Sequence, residues 1–218
     1  MEKTFCTVYQ DGTGEIEEKK SRFIASVFEV KSEEEALRCI TSVKKQYWDA
    51  KHHCYAFVIG RNAEIMRCSD DGEPAGTAGK PILSVMNGEK LTNACVIVTR
   101  YFGGTLLGTG GLIRAYTEAA KAGIAGSIII EKKRGQLVTL KMDYAEESKI
   151  RYLLSEQHES VLNVDYSEGV ALQTMIPEEK LTDIMTDVSH TTNGKCQTEL
   201  GKMVDYAVVD GEVLIFEE

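Results

Sequence analysis

The spacing of apolar and polar residues predicts a mixture of strands and helices in the first half of the chain. The run SRFIASVFEV (21–30) alternates apolar and polar positions, which is the period of a half-buried strand. Ser32 followed by Glu35 forms a capping-box pattern, so a helix is expected to start directly after Ser32. Residues 11–14 (DGTG) are expected to form a turn. Strands are expected at residues 4–9, 21–30, 53–60, 64–68 and 93–102, and helices at residues 33–47, 81–88 and 112–125.

The same pattern predicts a second domain after a basic stretch at residues 131–135 (EKKRG). The expected elements are strand 136–143, helix 146–157, strands 160–166 and 169–176, helix 178–190 and strand 203–209. This β-α-β-β-α-β order is typical of a ferredoxin-like fold. The chain is therefore predicted to be an α+β protein with one domain at residues 1–134 and another at residues 135–218.

The composition is that of an ordinary globular protein, since 43% of the 218 residues are hydrophobic and 27% are charged. No apolar run approaches the roughly 20 residues that span a bilayer, and the N-terminus lacks the apolar core of a secretory signal. The six cysteines are scattered without any CxxC pair, which favours free thiols in a reducing compartment over disulfides or a zinc site. We expect a cytoplasmic protein that makes no membrane contact.

Charge is distributed unevenly between the two predicted domains. The net charge is −9, of which residues 1–134 carry +2 and residues 135–218 carry −11. An acidic total argues against a protein that coats DNA, but it allows nucleic-acid contact through one basic face of the first domain. Two interpretations of the acidic second domain remain open. It is either a solvated surface that aids solubility, or a surface that engages a basic partner or masks the first domain.

Glycine is concentrated between a predicted strand and a predicted helix. Five of the 19 glycines lie in the glycine-rich segment, GGTLLGTGG (103–111); they are Gly103, Gly104, Gly108, Gly110 and Gly111. Such a segment lets backbone N–H groups approach an anion, and the start of the following helix adds its dipole. The segment matches neither the Walker nor the Rossmann glycine pattern, and a tight structural turn is the equal alternative.

Cationic and aromatic residues flank the glycine-rich segment. Arg100 is expected at the end of the preceding strand, and Arg114 in the first turn of the following helix. Two guanidinium groups aimed at this segment would form a fork-shaped site for phosphate or carboxylate, to which Lys80 would add a third cation. If exposed, Tyr101 or Phe102 would be able to stack on an unpaired base. These residues are therefore candidate RNA- or phosphate-binding residues.

The acidic segment, SDDGEPAGTAGKP (69–81), places three carboxylates within four residues. Its candidate supporting residues are Asp70, Asp71, Glu73 and Thr77. Clustered carboxylates can hold Mg²⁺ or transfer protons, but the EF-hand spacing is absent and the Gly and Pro content suits a structural loop equally. A further alternative is that one of the carboxylates pairs with Arg100 or Arg114. We expect neither a metal ion nor a cofactor.

His52 and His53 lie at the start of the strand predicted at residues 53–60. Adjacent residues of a strand face opposite sides of a sheet, so the two imidazoles are poorly placed to ligate one metal. Either one of them supports the anion site through a hydrogen bond, or both are ordinary core or edge histidines. Cys54 is expected to be buried, which argues against a nucleophile. The residues therefore define no catalytic set.

Three motifs together resemble the YigZ/IMPACT family. They are AKHHCYAF (50–57), SDDGEPAGTAGKP (69–81) and VIVTRYFGGTLLGTGGLIRAYTEAA (96–120). The resemblance implies that the first domain shares the fold of domain IV of elongation factor G, a small-subunit ribosomal protein and GHMP kinases, with a left-handed βαβ crossover. The region from residue 135 onward is similar to the C-terminal domain of the bacterial members, which resembles domain V of elongation factor G.

These similarities imply a link to translation rather than a particular reaction. By analogy of fold, we expect the chain to bind RNA, the ribosome or a translation factor through the basic glycine-rich site. The alternative is an enzyme that acts on a small phosphorylated or carboxylated ligand. The eukaryotic relatives act in the pathway of a stress kinase and carry an RWD domain. This sequence is expected to lack that domain, so a kinase-pathway partner is not expected.

Overall fold

The chain divides into two structural units, which meet in sequence between Glu131 and Lys132. The structure is a computed structural model that describes residues 4–216. The first unit contains β1 (Thr4–Gln10), β2 (Gly12–Glu18), β3 (Ser21–Glu29), α1 (Glu33–Gln46), β4 (His52–Ile59), β5 (Ile65–Ser69), α2 (Gly79–Gly88), β6 (Ala94–Tyr101) and α3 (Gly108–Ala125). Next come β7 (Ile128–Met142), α4 (Tyr144–Glu156), β8 (Val161–Asp165), β9 (Val170–Pro177), α5 (Leu181–Thr191), β10 (Gln197–Val209) and β11 (Glu212–Phe216). Every helix within the described range is too short or too polar to span a lipid bilayer.

A five-stranded antiparallel sheet forms the centre of the first unit, in the order β2-β3-β6-β4-β5. Strands β3 and β4 each pair antiparallel with β6. They therefore run parallel to each other, and α1 forms the connection between them. This is the βαβ crossover that the family resemblance implies, although its left-handedness stays a prediction.

Helices cover both faces of this sheet, because successive residues of a strand point to opposite faces. The face that includes Val98 packs against α2 and α3, whereas the face that includes Ile97 packs against α1. Helix α1 begins as the capping-box pattern predicts, since the Ser32 Oγ accepts a hydrogen bond from the backbone N–H of Glu35 at 3.2 Å. Two separate apolar layers therefore hold the sheet in place.

Strand β2 shows that the prediction of a turn at residues 11–14 was wrong. Residues 12–14 belong to β2, which pairs antiparallel with β3 along its length. Helix α3 lies so close to it that a Cβ built on Gly14 would lie 2.2 Å from the carbonyl carbon of Ala122. The glycine therefore allows a helix backbone to pack directly on a strand, which local turn propensity does not anticipate.

The second unit confirms the predicted β-α-β-β-α-β order. Its sheet runs β11-β10-β7-β9-β8, and the four strands expected from the sequence occupy the antiparallel arrangement of a ferredoxin-like fold. Helices α4 and α5 bury Ile150, Leu154, Ile184 and Val188 against the apolar residues of β7 and β9. An additional edge strand, β11, was not predicted; it pairs with β10. The α+β, two-domain fold class is thus confirmed.

Candidate functional site

The residues that the sequence singled out come together at one end of the sheet in the first unit. Antiparallel pairing places the start of β4 beside the end of β6, since His52 is paired with Arg100. The last residue of β5 lies at the same end of the sheet, because Ser69 is paired with Tyr55 near the start of β4. The acidic segment leaves this end from β5, and the glycine-rich segment follows β6. Sheet topology therefore brings together the two segments that the sequence separates by about 20 residues.

The glycine-rich segment is partly helical, which corrects the expected start of α3 at Leu112. Helix α3 begins at Gly108, so Gly108, Gly110 and Gly111 lie in its first turn rather than in a loop. Glycine has low helix propensity, but the burial of Leu112 and later apolar residues of α3 overrides it. Arg114 consequently lies in the second turn of the helix, not in the first. Its Nη1 lies 4.0 Å from the position of a Cβ built on Gly110.

Gly103 holds the start of the glycine-rich segment against the turn between β2 and β3. Its backbone N–H donates a hydrogen bond to the Ser21 Oγ at 3.1 Å. A Cβ built on Gly103 would lie 2.0 Å from the carbonyl carbon of Lys20, so only glycine fits this approach. Lys19 and Lys20 form the turn itself, with φ of 47° and 65°. Sequence reasoning missed both lysines because β2 was read as a turn, and the only available signal was the basic pair itself.

Arg100 forms a buried ion pair with Glu73 rather than an open anion site. Its Nη1 lies 2.6 Å from the Glu73 Oε1, and the two side chains are only 6% and 4% exposed. This is the pairing that the sequence left open as the alternative for either arginine. The Tyr116 hydroxyl donates to the same Glu73 oxygen at 2.8 Å. Tyr116 was not singled out beforehand, because a buried tyrosine in an apolar helix gives no sequence signal of its partner.

The Arg100 guanidinium also lies against two phenylalanine rings. Its central carbon is 5.4 Å from the ring centroid of Phe23 and 5.6 Å from that of Phe102. Phe23 is fully buried, whereas Phe102 is 54% exposed. In the part of the chain that the structure describes, the buried Nε of Arg100 has no hydrogen-bond partner. The arginine thus connects the buried core to an exposed aromatic side chain.

Asp70 stabilises the conformation of the acidic segment through hydrogen bonds to its backbone. Its two carboxylate oxygens accept hydrogen bonds from the backbone N–H groups of Gly76, Ala78 and Gly79, at 2.8, 3.0 and 2.8 Å. Burial by itself would raise the pKa of Asp70, but these hydrogen bonds and the nearby charge of Lys80 bring it below its ordinary value. The carboxylate is therefore ionised at neutral pH, and it serves as a cap for the start of α2.

Asp71 ties the acidic segment to α1 and β4. Its carboxylate accepts hydrogen bonds from the Lys44 ammonium at 2.8 Å and from the His53 backbone N–H at 2.7 Å. Burial opposes ionisation, yet these donors lower the pKa of Asp71. The imidazole of His53 is buried, and its Nε2 lies 3.1 Å from the Tyr47 carbonyl oxygen. The His52 Nδ1 lies 2.9 Å from the Asp71 carbonyl oxygen, on the opposite face of the strand.

The remaining polar groups of this region have structural partners as well. The Thr77 hydroxyl donates to the Pro74 carbonyl at 2.7 Å. Burial raises the pKa of Cys54 to about 12, so its thiol is not a nucleophile at neutral pH. The Tyr101 hydroxyl donates to Asp49 at 2.7 Å, and this hydrogen bond raises the pKa of Tyr101. Among residues 4–216, no three His, Cys, Asp or Glu side chains are grouped so as to hold a metal ion.

Three cations, an aromatic ring and a glycine are among the groups left exposed at this end. Lys20, Lys80 and Arg114 are exposed, and none of them forms a salt bridge within the described residues. Phe102 is exposed as well, and Gly104 continues the chain at a φ of 83° with open space around it. The arrangement can therefore offer positive charge, accessible backbone and an aromatic ring to an anionic partner.

Comparison with known proteins identifies both units. Residues 19–124 match the Impact N-terminal domain, and residues 140–195 match a domain of unknown function, DUF1949. The protein is 39% identical over 203 residues to the IMPACT family member YvyE of Bacillus subtilis, which covers 93% of this chain and 94% of YvyE. It is 35% identical over 181 residues to YigZ of Escherichia coli, covering 82% and 89% of the two chains.

A solved structure extends the similarity to the fold. A crystal structure of a hypothetical protein is 32% identical in sequence and superposes with a TM-score of 0.59 over 93% of this chain and 98% of that chain. Fold and comparisons together define a two-domain α+β protein in which an Impact N-terminal domain precedes a ferredoxin-like domain. The chain belongs to the IMPACT family, as its motifs at residues 50–57, 69–81 and 96–120 indicate.

Proposed function

We propose that this IMPACT-family protein is a non-catalytic, translation-linked factor that binds RNA at the end of the sheet where the glycine-rich segment begins. The observation that carries the proposal is the separation of charges at this end. Asp70, Asp71 and Glu73 are each engaged by donors of the protein itself. Lys20, Lys80 and Arg114, by contrast, are exposed and form no salt bridge with the residues described. A phosphate backbone would therefore meet cations that are not already paired in a salt bridge.

The cations suited to this contact come from three separate segments. Lys20 lies in the turn between β2 and β3, Lys80 in the first turn of α2, and Arg114 in the second turn of α3. Flexible cations on separate rigid elements suit an extended phosphate backbone better than one compact anion, which calls for a convergent, preorganised donor set. This favours a polyanion over the small phosphorylated ligand of an enzyme.

The link to translation rests on the resemblance of the two domains to domains IV and V of elongation factor G, which is an analogy of fold. It makes ribosomal RNA the first polyanion to test. The chain as a whole carries a net charge of −9, so the contact must be local to this basic end and sensitive to salt.

Cosedimentation with ribosomal fractions in sucrose gradients tests the proposal. The full chain is expected to comigrate at low salt and to be released at moderate salt. The double variant Lys80→Ala/Arg114→Ala is expected to remain at the top of the gradient at both. The matched control is Arg38→Ala/Lys121→Ala, which removes the same charge from two exposed positions in α1 and α3 and leaves comigration intact.

Two results would overturn this function. The first is comigration that is indifferent to salt and to Lys80→Ala/Arg114→Ala. The second is a chain that stays at the top of every gradient but is stabilised against heat by a nucleotide with Mg²⁺. That result would support the alternative, an enzyme that acts on a small phosphorylated ligand.

A further inference from the structure

We infer that the RNA recognised at this site is unpaired, and that Phe102 is the platform on which one of its bases stacks. The inference rests on the proposed function and deepens it, because RNA binding through phosphates alone would not distinguish single strands from duplexes. It also assigns a role to Arg100, whose guanidinium is paired with Glu73 and is therefore not available to bind an anionic ligand directly.

The Phe102 ring is exposed to solvent and also packs against the guanidinium of Arg100. More than half of its side chain is accessible, at 54%. Its ring also lies 5.6 Å from the central carbon of the Arg100 guanidinium. A single exposed phenylalanine needs no functional explanation by itself. A phenylalanine supported by a buried cation is different, because that cation restrains the ring and leaves accessible ring surface for a second planar group.

Arg100 is held in a way that restrains the ring. Its guanidinium is bound by the Glu73 carboxylate at 2.6 Å and contacts the buried ring of Phe23 at 5.4 Å. Its Nη2 also lies 3.4 Å from the Ser21 Oγ. Burying an ion pair costs desolvation energy, which a pair of apolar residues would avoid. A role in positioning Phe102 gives a reason for a charged pair at this point.

The backbone next to Phe102 is restrained as well. Gly103 is hydrogen-bonded to the Ser21 Oγ at 3.1 Å and lies against the backbone of Lys20. Tyr101, on the other side of Phe102, is paired with Arg22 in the sheet and bonded through its hydroxyl to Asp49. Both neighbours of Phe102 are thus fixed, so little conformational entropy remains to be lost when a base binds.

An aromatic platform of this kind selects unpaired RNA. The bases of a duplex are already stacked on each other and reachable only at their edges, whereas a base in a single strand or loop exposes its flat face. The adjacent Lys20 places a cation within reach of the phosphate backbone, next to the Gly103 that follows the platform. Charge complementarity therefore commits the exposed ring to a nucleic acid rather than to an apolar partner.

The test compares a single-stranded 12-nucleotide RNA carrying one central 2-aminopurine with the blunt duplex of the same sequence. The full chain is expected to bind the single strand more tightly than the duplex and to quench the 2-aminopurine fluorescence by stacking. Phe102→Ala is expected to lose the quenching and to weaken binding by about fivefold to 150-fold, at every salt concentration alike. Lys80→Ala is expected instead to reduce the slope of log affinity against log salt by about one.

Conservative variants separate stacking from folding. Phe102→Trp retains a large planar ring and is expected to restore both quenching and affinity. Arg100→Lys keeps the charge but loses the planar guanidinium, so it is expected to reduce the quenching while leaving the salt slope unchanged. Tyr152→Ala removes an aromatic side chain that is 68% exposed in the second unit, and it serves as the matched control without effect.

The outcomes distinguish the inference from the proposed function. Equal affinity for single strand and duplex, with salt-sensitive binding that Phe102→Ala leaves intact, would overturn the platform and keep RNA binding. Failure to bind either RNA at low salt would overturn both. Preference for the single strand without any quenching of 2-aminopurine would also contradict stacking on Phe102.

Discussion

The acidic segment and the glycine-rich segment leave the same end of the sheet, yet they use their residues in opposite ways. The acidic segment contains the reactive side chains, but Asp70, Asp71 and Glu73 are each bonded to backbone N–H groups, a lysine or an arginine. The glycine-rich segment contains almost no reactive side chains, but its Gly104 and the preceding residue, Phe102, are exposed. The carboxylates of the acidic segment therefore stabilise the local structure, whereas Phe102, Gly104 and the exposed cations form the accessible surface.

This difference changes what a charged residue signifies in this protein. Three clustered carboxylates are compatible with a metal site or a proton donor, and an arginine beside glycines is compatible with an anion site. For Glu73 and Arg100, burial decides between these roles, because a buried charge must be paired and a paired charge is not available to a ligand. Variants that remove these pairs should therefore reduce stability much more than variants on the exposed surface.

The largest effect is expected from the buried ion pair. Glu73→Gln leaves the Arg100 guanidinium buried without a counter-charge, so the first unit should lose about 3–5 kcal/mol of unfolding free energy. Hydrogen exchange of the β6 amides in increasing urea measures this unit separately from the second. The matched control is Glu15→Gln, which breaks an exposed glutamate–arginine pair with Arg22 and should cost less than about 1 kcal/mol.

A double variant completes this comparison. If Glu73 and Arg100 are both replaced by apolar residues, Glu73→Met/Arg100→Leu, most of the lost stability should return, because no charge remains buried alone. Similar losses from Glu73→Gln and Glu15→Gln would contradict the structural role of the acidic segment. In that case Glu73 would again be a candidate for chemistry on a ligand.

The next largest effect is expected at Asp70. Asp70→Asn replaces a carboxylate that accepts three backbone hydrogen bonds, so the first unit should lose about 2–3 kcal/mol at neutral pH. The pKa of Asp70 is lower in the folded protein than in the unfolded chain. Its contribution is therefore fully present above the unfolded pKa of about 3.9 and is lost as the pH falls through the lower, folded pKa.

Acid titration of stability measures this linkage. The difference in unfolding free energy between the native sequence and Asp70→Asn should be constant from neutral pH down to about 4 and should shrink below it. Glu18→Gln removes an exposed carboxylate of the same unit and should give no such curve. A difference that persists unchanged below pH 3 would mean that the charge of Asp70 does not hold the acidic segment together.

Much of this fold was predictable from sequence because local and tertiary signals agree in most of its elements. The alternation in residues 21–30, the cap at Ser32 and the βαββαβ order of the second domain each have a local cause. The wrong secondary-structure predictions concern residues whose conformation depends on tertiary packing. Gly14 belongs to a strand because α3 packs on it, and Gly108 begins a helix because apolar residues four and more positions later are buried.

The site was predictable in its location but not in its pairing. Arg100 directly precedes the glycine-rich segment in sequence, and pairing of Arg100 or Arg114 with a carboxylate of the acidic segment was an open alternative; the sheet places these residues at one end. Which carboxylate pairs with Arg100 depends on the sheet register and on Tyr116, which lies 43 residues from Glu73 in sequence. Only the folded chain brings those residues within hydrogen-bond distance.

The smallest effect concerns the glycine-rich segment itself and is expected at Gly103. Gly103→Ala places a methyl group 2.0 Å from the Lys20 carbonyl carbon, so the turn between β2 and β3 must shift, at a cost of about 1–2 kcal/mol. Gly88→Ala is the matched control, because a Cβ there meets no atom within 4 Å. At the last residue of α2, alanine should be neutral or stabilising by about 0.5–1 kcal/mol.

Opposite signs for the two substitutions, measured by hydrogen exchange of β6, would show that Gly103 is required by a close backbone contact. Equal and small effects would mean that the glycine-rich segment is not held against the turn formed by Lys19 and Lys20. The backbone contact of Gly103 would then no longer count as a restraint on Phe102.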